Sequence, residues 1–268
     1  MTPQHDRGPG ARRAVPRGII GVVHLPPLPG APEYGGGMDR VLDRARAAAG
    51  ALAEGGIDAL LVENYGDRPF RSAVGPETVA AMTRAVAAVR ETTDRPVGVN
   101  VLRNDAGAAL AVAAATGAVF IRVNVHTGGM YTDQGWIEGR AAETVRLREH
   151  IAPQVAILAD ALVKHATPPP GFTLEQAARD AVERGCADAV IVTGDATGAP
   201  TALADVRTVA GVVDVPVLVG SGVTPDTVRA ALDAAAGVIV GSALEEGGRA
   251  GGPVDLDRVR RFVAAARA

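Results

Sequence analysis

Residues 217–244 read VLVGSGVTPDTVRAALDAAAGVIVGSAL, and this stretch contains one short pattern twice. An apolar run of strand length is followed by Gly-Ser, first at Gly220-Ser221 and again at Gly241-Ser242. A segment of helical length, rich in alanine, separates the two copies. The pattern predicts two parallel strands joined by a helix, with a glycine-serine turn at the carboxyl end of each strand.

The same alternation of apolar runs and helical segments extends over the rest of the chain. Alanine, leucine, glutamate and arginine with helical spacing dominate the segments between the runs, which indicates helices. The predicted strands are residues 18–23, 58–62, 97–101, 119–125, 155–160, 188–193, 215–220 and 236–241. Eight strand-helix units in roughly 250 residues predict an α/β fold of one closed (β/α)8 TIM barrel. An open doubly wound sheet is the alternative, but the turn at residues 24–37 contains no GxGxxG motif.

Several helix starts are marked by capping residues. Pro76 is expected at the first position of a helix, and Thr173 and Asp105 are expected to cap the helices that follow them. The sequence Thr224-Pro225-Asp226 is expected to start the helix between the two glycine-serine turns.

Composition limits the class of protein. The chain has 268 residues, of which 47% are hydrophobic and only 3% aromatic, so valine, isoleucine, leucine and alanine must fill the core. The net charge is −3 and the basic residues are scattered, which argues against nucleic acid as a partner. The single cysteine excludes an internal disulfide. No apolar run approaches the roughly 20 residues of a membrane span, so we expect a cytoplasmic protein without membrane insertion.

Two segments are expected: a flexible tail at residues 1–17 and the barrel domain at residues 18–268. A symmetric homo-oligomer is expected only from the prevalence of such assemblies.

The two glycine-serine turns fall at the positions where TIM barrels often bind phosphate, after the seventh and eighth strands. Backbone N–H groups can approach an anion closely where glycine replaces a larger side chain. We therefore predict that the two turns form the halves of one phosphate clamp, although glycines that only make tight turns are the alternative. The predicted phosphate-binding residues are Gly220, Ser221, Gly222, Gly241 and Ser242.

Polar residues at the other strand ends predict the reacting groups. His24 ends the first strand and is a candidate acid-base group or a hydrogen-bonded loop histidine. Glu63 follows an apolar run and is a candidate general base, or the partner of a nearby cation. Asp160 and His165 are further catalytic candidates at the end of the fifth strand.

Lys164, near the same strand end, has three interpretations. It could form a Schiff base if burial lowers its pKa. A fixed positive charge facing substrate oxygen or phosphate is the favoured interpretation, and a solvated loop lysine is the third.

Substrate binding is predicted for a second group of residues. Asn100 and Asn124 lie within apolar strands and need partners inside the barrel or on a ligand. Arg122 needs an anion, supplied by Glu63, Asp160 or the substrate. The full predicted set is Asn100, Arg122, Asn124, Asp133, Thr193 and Asp195.

Residues 130–139 are predicted to form a loop that acts as a lid or an intersubunit contact. No cofactor is predicted. Metal binding is geometrically feasible for a mouth that contains His24, Glu63, His126, Asp160 and His165, but none of the spacings is diagnostic.

Eight phrases in this order resemble the BtpA/SgcQ family over about residues 19–267. They are HLPPLPGAP (24–32), LLVENYGDRPF (60–70), GVNVLRNDA (98–106), FIRVNVHTG (120–128), TDQGWIEG (132–139), LADALVKHA (158–166), VIVTGDATGAP (190–200) and VGSGVT (219–224). The family's motif residues correspond here to His24, Glu63, Asn64, Asp67, Asn100, Asn104, Asp105, Arg122, Asn124, Asp133, Gln134, Asp160, Lys164, His165, Thr193 and Thr197. The resemblance implies a barrel of the ribulose-phosphate-binding type. One namesake is associated with photosystem I accumulation in cyanobacteria, and the other with a sugar-phosphate operon in enteric bacteria.

The leading functional hypothesis is an enzyme that acts on a phosphorylated sugar or nucleotide-like molecule by isomerase, epimerase or lyase chemistry. Binding energy from the non-reacting phosphate would position the reacting carbons. One alternative is glycosyl or nucleoside bond chemistry with Glu63 and Asp160 as paired carboxylates. The other is a non-catalytic assembly or regulatory factor, as in photosystem I biogenesis.

Overall fold

A computed structural model describes residues 13–194 and 201–268. In these ranges eight parallel strands form a closed barrel, which confirms the predicted fold. The barrel strands, in their order around the barrel, are β1 (Gly18–His24), β2 (Ala59–Glu63), β3 (Val97–Asn100), β4 (Phe120–Val123), β7 (Ala156–Asp160), β9 (Ala189–Val192), β10 (Val217–Val219) and β11 (Gly237–Val240). Pairing of β11 with β1 closes the cylinder. Three further strands, β5 (Gly129–Thr132), β6 (Gly135–Glu138) and β8 (Ala166–Thr167), form a small antiparallel sheet.

Helices pack around the outside of the barrel. They are α1 (Met38–Glu54), α2 (Pro76–Thr92), α3 (Ala106–Thr116), α4 (Ala141–Ile151), α5 (Leu174–Arg179), α6 (Leu203–Ala210), α7 (Val228–Ala234) and α8 (Leu256–Arg267). A π-helical turn, Asp180–Arg184, continues α5. None of the helices in the described ranges is both long and apolar enough to cross a membrane.

Helix starts follow the predicted caps in most cases. Asp105 accepts a hydrogen bond from the backbone N–H of Ala108, and Thr173 caps α5 in the same way. The prediction for Thr224-Pro225-Asp226 was wrong, because α7 begins only at Val228. The carbonyl of Thr224 instead accepts from the N–H groups of Thr227 and Val228, which closes a turn before the helix.

Two apolar layers surround the sheet, as the period of two in a strand requires. The inner layer fills the barrel with Ile20, Leu61, Phe120, Leu158 and other buried side chains. The outer layer packs between the sheet and the helices. Gly98 leaves room for the ring of Phe120, because a Cβ atom at this glycine would lie 2.2 Å from the ring.

The same alternation brings polar side chains to the carboxyl ends of the strands. His24 continues the inward face of Ile20 and Val22, and Glu63 continues that of Leu61. Strand register pairs His24 with Glu63, and Glu63 with Asn100, so the three residues lie at one level of the barrel. The top of the barrel therefore has a polar interior above an apolar one.

Residues 1–12 of the predicted tail lie outside the described residues. Arg13 donates to the carbonyl of Pro153 at 2.7 Å and forms an ion pair with Glu149. Its guanidinium group also lies 3.6 Å from a carboxylate oxygen of Asp188.

Candidate functional site

A polar cavity with a volume of about 300 Å³ opens at the carboxyl ends of the strands. Both predicted phosphate turns line it, together with His24, Glu63, Arg122 and Lys164. The structure therefore brings the two turns and four candidate reacting or binding groups into one site. Tyr65, Thr224 and Arg258 complete much of its polar wall.

Backbone N–H groups of the two glycine-serine turns lie in residues that line this cavity. Among the described residues, no backbone oxygen accepts a hydrogen bond from the N–H groups of Ser221, Gly222, Ser242 or Ala243. The hydroxyl of Ser221 accepts from the N–H of Gly194 at 3.1 Å and thereby fixes the first turn. Ser242 begins a short 3₁₀ helix. Backbone donors without a backbone acceptor, on two turns that line one cavity, are suited to an anion.

Arg258 adds a positive charge that was not predicted from the sequence. It lies on α8, donates its Nε–H to the carbonyl of Ala243 at 3.1 Å, and lines the cavity beside the second turn. No local motif marks this arginine, since its helix contains three others of the same type. Only the packing of α8 against the turn identifies it.

His24 is held between two glutamates. Its Nδ1 atom lies 2.7 Å from Oε1 of Glu245, and its Nε2 atom lies 3.8 Å from Oε1 of Glu63. Glu245 was not predicted, and it is only 1% exposed. Its second carboxylate oxygen, Oε2, is buried without a hydrogen-bond partner among the described residues. A buried carboxylate that serves structure alone would normally have both oxygens satisfied.

The imidazole ring of His24 is also packed on both sides. The ring of Tyr65 lies with its centroid 4.6 Å from that of the imidazole. On another side, a Cβ atom at Gly241 would lie 2.5 Å from Cε1 of the imidazole. The second glycine-serine turn therefore lies directly against the histidine, and the lack of a side chain at Gly241 permits this approach.

Arg122 and Asp160 form a buried ion pair beneath the cavity. Nε and Nη2 of Arg122 donate to the two oxygens of Asp160 at 3.2 and 3.0 Å. Asn124 donates to the same carboxylate at 2.9 Å, and Asn100 donates to Asn124 at 3.1 Å. Burial disfavours the charge of Arg122, but Asp160 and Glu63 outweigh it and raise the pKa of the guanidinium.

Lys164 lines the cavity next to this pair and is half-buried. Burial lowers the pKa of its ammonium group, and the nearby guanidinium groups of Arg122 and Arg103 lower it further. Glu63 and Asp160 act in the opposite direction without reversing the shift. Two guanidinium groups and two carboxylates therefore act on the charge of Lys164.

Hydrogen bonds between loops connect the segments at the rim of the barrel. Asn64 accepts from the N–H of Leu102 at 2.7 Å and donates to Asp67, which in turn accepts from Leu28. Burial raises the pKa of Asp67, against the effect of these hydrogen bonds. Asn104 makes two hydrogen bonds with the backbone of Val125. These family motif residues connect loops after different strands.

Other predicted site residues lie away from the cavity wall. Thr193 donates to the carbonyl of Leu162 at 2.9 Å. His165 and Asp133 are exposed near Arg103, and burial, Lys164 and Arg103 lower the pKa of His165. Asn100 and Asn124 lie below, in the Arg122 network. Asp195 lies outside the described residues, as does Thr197.

Two expectations about the segment after β4 were wrong. Residues 130–139 belong to the hairpin of β5 and β6, whose exposed Tyr131 and Trp136 make an edge-to-face contact, so the segment is not an irregular loop. His126 does not follow Arg122 into the mouth, because β4 ends at Val123. Its Nε2 atom lies instead 2.7 Å from the carbonyl of Gly185. Burial lowers the pKa of His126.

The titratable side chains do not converge as metal ligands do. Within the described ranges, no group of three or more histidine, cysteine, aspartate or glutamate side chains is arranged to hold a metal ion.

Fold and cavity together define a (β/α)8 barrel protein with a polar site at the carboxyl ends of its strands. Residues 15–268 match the BtpA family, and the chain belongs to that family. The photosystem I biogenesis protein BtpA of Synechocystis is 47% identical over 249 residues, which cover 92% of this chain and 87% of the relative.

Two solved structures of enzymes have a similar fold. Tryptophan synthase of Mycobacterium tuberculosis is similar with a TM-score of 0.60 and 24% identity, covering 94% of this chain and 93% of the other. (S)-3-O-geranylgeranylglyceryl phosphate synthase from Thermoplasma acidophilum, in complex with its substrate sn-glycerol-1-phosphate, has a TM-score of 0.56 and 17% identity. It covers 94% of this chain and 93% of its own. At these identities the likeness concerns the fold.

Proposed function

We propose that this chain binds a phosphorylated small molecule and converts it by acid-base chemistry of the isomerase, epimerase or lyase type. One observation carries the proposal: the two glycine-serine turns line the same cavity as His24, Glu63 and Lys164. The phosphate would lie against the turns and Arg258, which leaves the remainder of the molecule facing the titratable groups. The neighbour solved with sn-glycerol-1-phosphate supports a barrel of this fold as a phosphate-ester site.

Within this proposal the predicted catalytic residues have different tasks. His24 and Glu63 would move protons, because both line the cavity and His24 is oriented by Glu245. Asp160 would position Arg122, since its carboxylate already accepts three hydrogen bonds from Arg122 and Asn124. This engagement also disfavours glycosyl or nucleoside chemistry with Glu63 and Asp160 as paired carboxylates.

A thermal-shift experiment tests phosphate binding. Inorganic phosphate, ribose 5-phosphate and glycerol 3-phosphate should each raise the melting temperature, whereas ribose and glycerol should not. A ligand at 100 times its Kd adds about 2.7 kcal/mol, a shift of roughly 5–10 °C for a chain of this size. Stabilisation by the sugars but not by the esters would contradict the proposal.

Arg258 offers a variant with a matched control on the same helix. Arg258→Ala should weaken binding of inorganic phosphate roughly ten- to hundredfold, because it removes a charge-assisted contact. Arg260→Ala should leave binding unchanged, since Arg260 is more than half exposed and pairs with Glu54. Equal effects of the two substitutions would place the anion elsewhere.

A second candidate is a non-catalytic assembly factor, which the name of the Synechocystis relative favours. Glu63→Gln and Lys164→Ala distinguish the two candidates in cells that depend on the protein. Failure of both variants to restore the cellular function supports an enzyme. Full complementation by both variants supports a binding role.

A further inference from the structure

The 27 basic residues of the chain include a single lysine, Lys164. The remaining basic positions are arginines, and two of them, Arg103 and Arg122, act on Lys164 electrostatically. Arginine supplies a fixed positive charge and stays protonated in proteins, whereas a lysine amine can lose its proton and become a nucleophile. A fixed charge alone does not require an amine that can lose its proton.

The surroundings of Lys164 lower the pKa of its amine below the ordinary value, and the side chain lies in the cavity wall. Burial and the two nearby guanidinium groups disfavour its protonated form, while Glu63 and Asp160 compensate only in part. Lys164 lines the same cavity as His24, Glu63 and both glycine-serine turns. An amine in this position faces whatever the turns hold.

We propose that Lys164 forms a covalent imine with the carbonyl carbon of a phosphorylated aldose or ketose held in this cavity. The inference rests on the proposed phosphate site, and it narrows the substrate class to phosphate esters that carry an aldehyde or ketone. It also narrows the reaction to carbonyl chemistry.

The step balances with the groups at hand. The neutral amine of Lys164 adds to the carbonyl carbon as the C=O π bond breaks, and one proton passes from the nitrogen to the oxygen, through Glu63 or His24, to give a carbinolamine. The nitrogen lone pair then expels that oxygen as water after a second proton is delivered to it. Glu63 or His24 can supply this proton, and hydrolysis of the imine by the reverse steps regenerates the amine. No oxidant, reductant or further reactant is consumed.

The protonated imine would withdraw electrons from the neighbouring carbon. A proton or a carbon-carbon bond at that carbon then becomes easier to remove, and His24 and Glu63 are available to accept or return the proton. Isomerase, epimerase and lyase reactions share this requirement. The phosphate turns would hold the far end of the molecule while its carbonyl end reacts.

Reductive trapping tests the imine directly, because the sequence contains one lysine amine besides the amine at the start of the chain. The full chain is incubated with ribose 5-phosphate or dihydroxyacetone phosphate and sodium cyanoborohydride, then analysed by intact mass and peptide mapping. Ribose serves as the control without phosphate, and glycerol 3-phosphate as the control without a carbonyl. Lys164→Arg retains the charge and removes the amine.

We expect an adduct on the Lys164 peptide at a yield roughly tenfold or more above that from ribose, because bound phosphate raises the local carbonyl concentration. Excess inorganic phosphate should suppress it, and Lys164→Arg should show only the adduct of the terminal amine. Equal labelling by ribose and by the esters would overturn the proposal.

The trapping result is separable from the proposed phosphate site. If no ester modifies Lys164 while inorganic phosphate still raises the melting temperature, the imine is excluded and the phosphate site stands. If inorganic phosphate and the esters cause no thermal shift and no Lys164 adduct forms, both proposals are overturned.

Discussion

Nδ1 of His24 lies 2.7 Å from a carboxylate oxygen of Glu245, although 221 residues separate the two in the sequence. Glu245 directly follows the 3₁₀ turn Ser242–Leu244. One segment therefore supplies both the second glycine-serine turn and the carboxylate beside the histidine. Because an ionised carboxylate can only accept a hydrogen bond, we expect the proton of a neutral His24 on Nδ1, with Nε2 facing Glu63.

Removing the Glu245 carboxylate should allow neutral His24 to adopt either tautomer. In Glu245→Ala the imidazole loses the acceptor that holds its Nδ1 proton, so neutral His24 should exchange between both tautomers. Nitrogen-15 NMR of histidine-labelled protein at mildly alkaline pH measures this, and His24→Asn identifies the signal among the five histidines. An unprotonated Nδ1 in the parent protein would show that the expected hydrogen-bond direction is wrong. His150→Asn, on α4, should leave the His24 signal unchanged.

Breaking the Arg122–Asp160 pair should cost much more stability than removing an exposed charge. Asp160→Ala leaves a buried guanidinium without its partner, and we expect the free energy of unfolding to fall by about 3–5 kcal/mol. Urea denaturation measures the change. Asp133→Ala, at an exposed position of the hairpin, should change it by less than about 0.5 kcal/mol. A small effect of Asp160→Ala would mean that the pair contributes little to the folded state.

Gly98 should tolerate a methyl group only if Phe120 becomes smaller. The added Cβ would lie 2.2 Å from the phenylalanine ring, so Gly98→Ala should destabilise the barrel by about 1–3 kcal/mol. Combining it with Phe120→Leu should give a smaller loss than the two single changes added together.

Gly50 provides the control for this substitution. It lies inside α1, where an added Cβ would meet Thr92 at an ordinary 3.8 Å. Gly50→Ala should therefore stabilise the protein by about 0.5–1 kcal/mol, because alanine is the better helix former. The outcome against the prediction concerns the double variant Gly98→Ala, Phe120→Leu. If its loss of stability equals the sum of the two single losses, the close contact at Gly98 relaxes without a smaller residue at position 120.

Lys164 should make stability depend on pH in the alkaline range. Its pKa in the folded protein lies below its ordinary value of 10.5, so between the two values the unfolded chain binds more protons than the folded chain. The contribution of Lys164 to the free energy of unfolding therefore increases with pH between these two pKa values. The free energy of unfolding of the parent protein, measured relative to Lys164→Met, should increase from neutral to alkaline pH. Lys164→Arg should show no such increase, and a flat difference for the parent protein would contradict the lowered pKa.

The sequence contains most of the information needed for the barrel. Each barrel strand was predicted within about two residues, because strands buried on both faces appear as continuous apolar runs. The hairpin of β5 and β6 was missed although its paired positions alternate, with Met130 and Ile137 buried and Tyr131 and Trp136 exposed. Two four-residue strands that shield one small patch give too short a pattern to separate from a loop.

For the candidate site, the sequence indicated the polar residues at the strand ends. It did not indicate the residues that segments after the eighth barrel strand bring to the same cavity. His24, Glu63 and Lys164 line the cavity, as expected where the carboxyl ends of barrel strands meet at one mouth, and their roles stay predictions. Glu245 was missed because nothing in the sequence separates it from Glu246, yet Glu245 is buried and its neighbour is exposed. Arg258 likewise depends on how α8 packs. Both roles arise from contacts between distant segments, which no local pattern encodes.

Closure of the barrel by the pairing of β1 with β11 has a consequence during synthesis. His24 emerges from the ribosome early, whereas Gly241, Glu245 and Arg258 emerge more than 200 residues later. A nascent chain therefore cannot complete the cavity wall before α8 has left the exit tunnel. The candidate site is therefore among the last features of the molecule to form during synthesis.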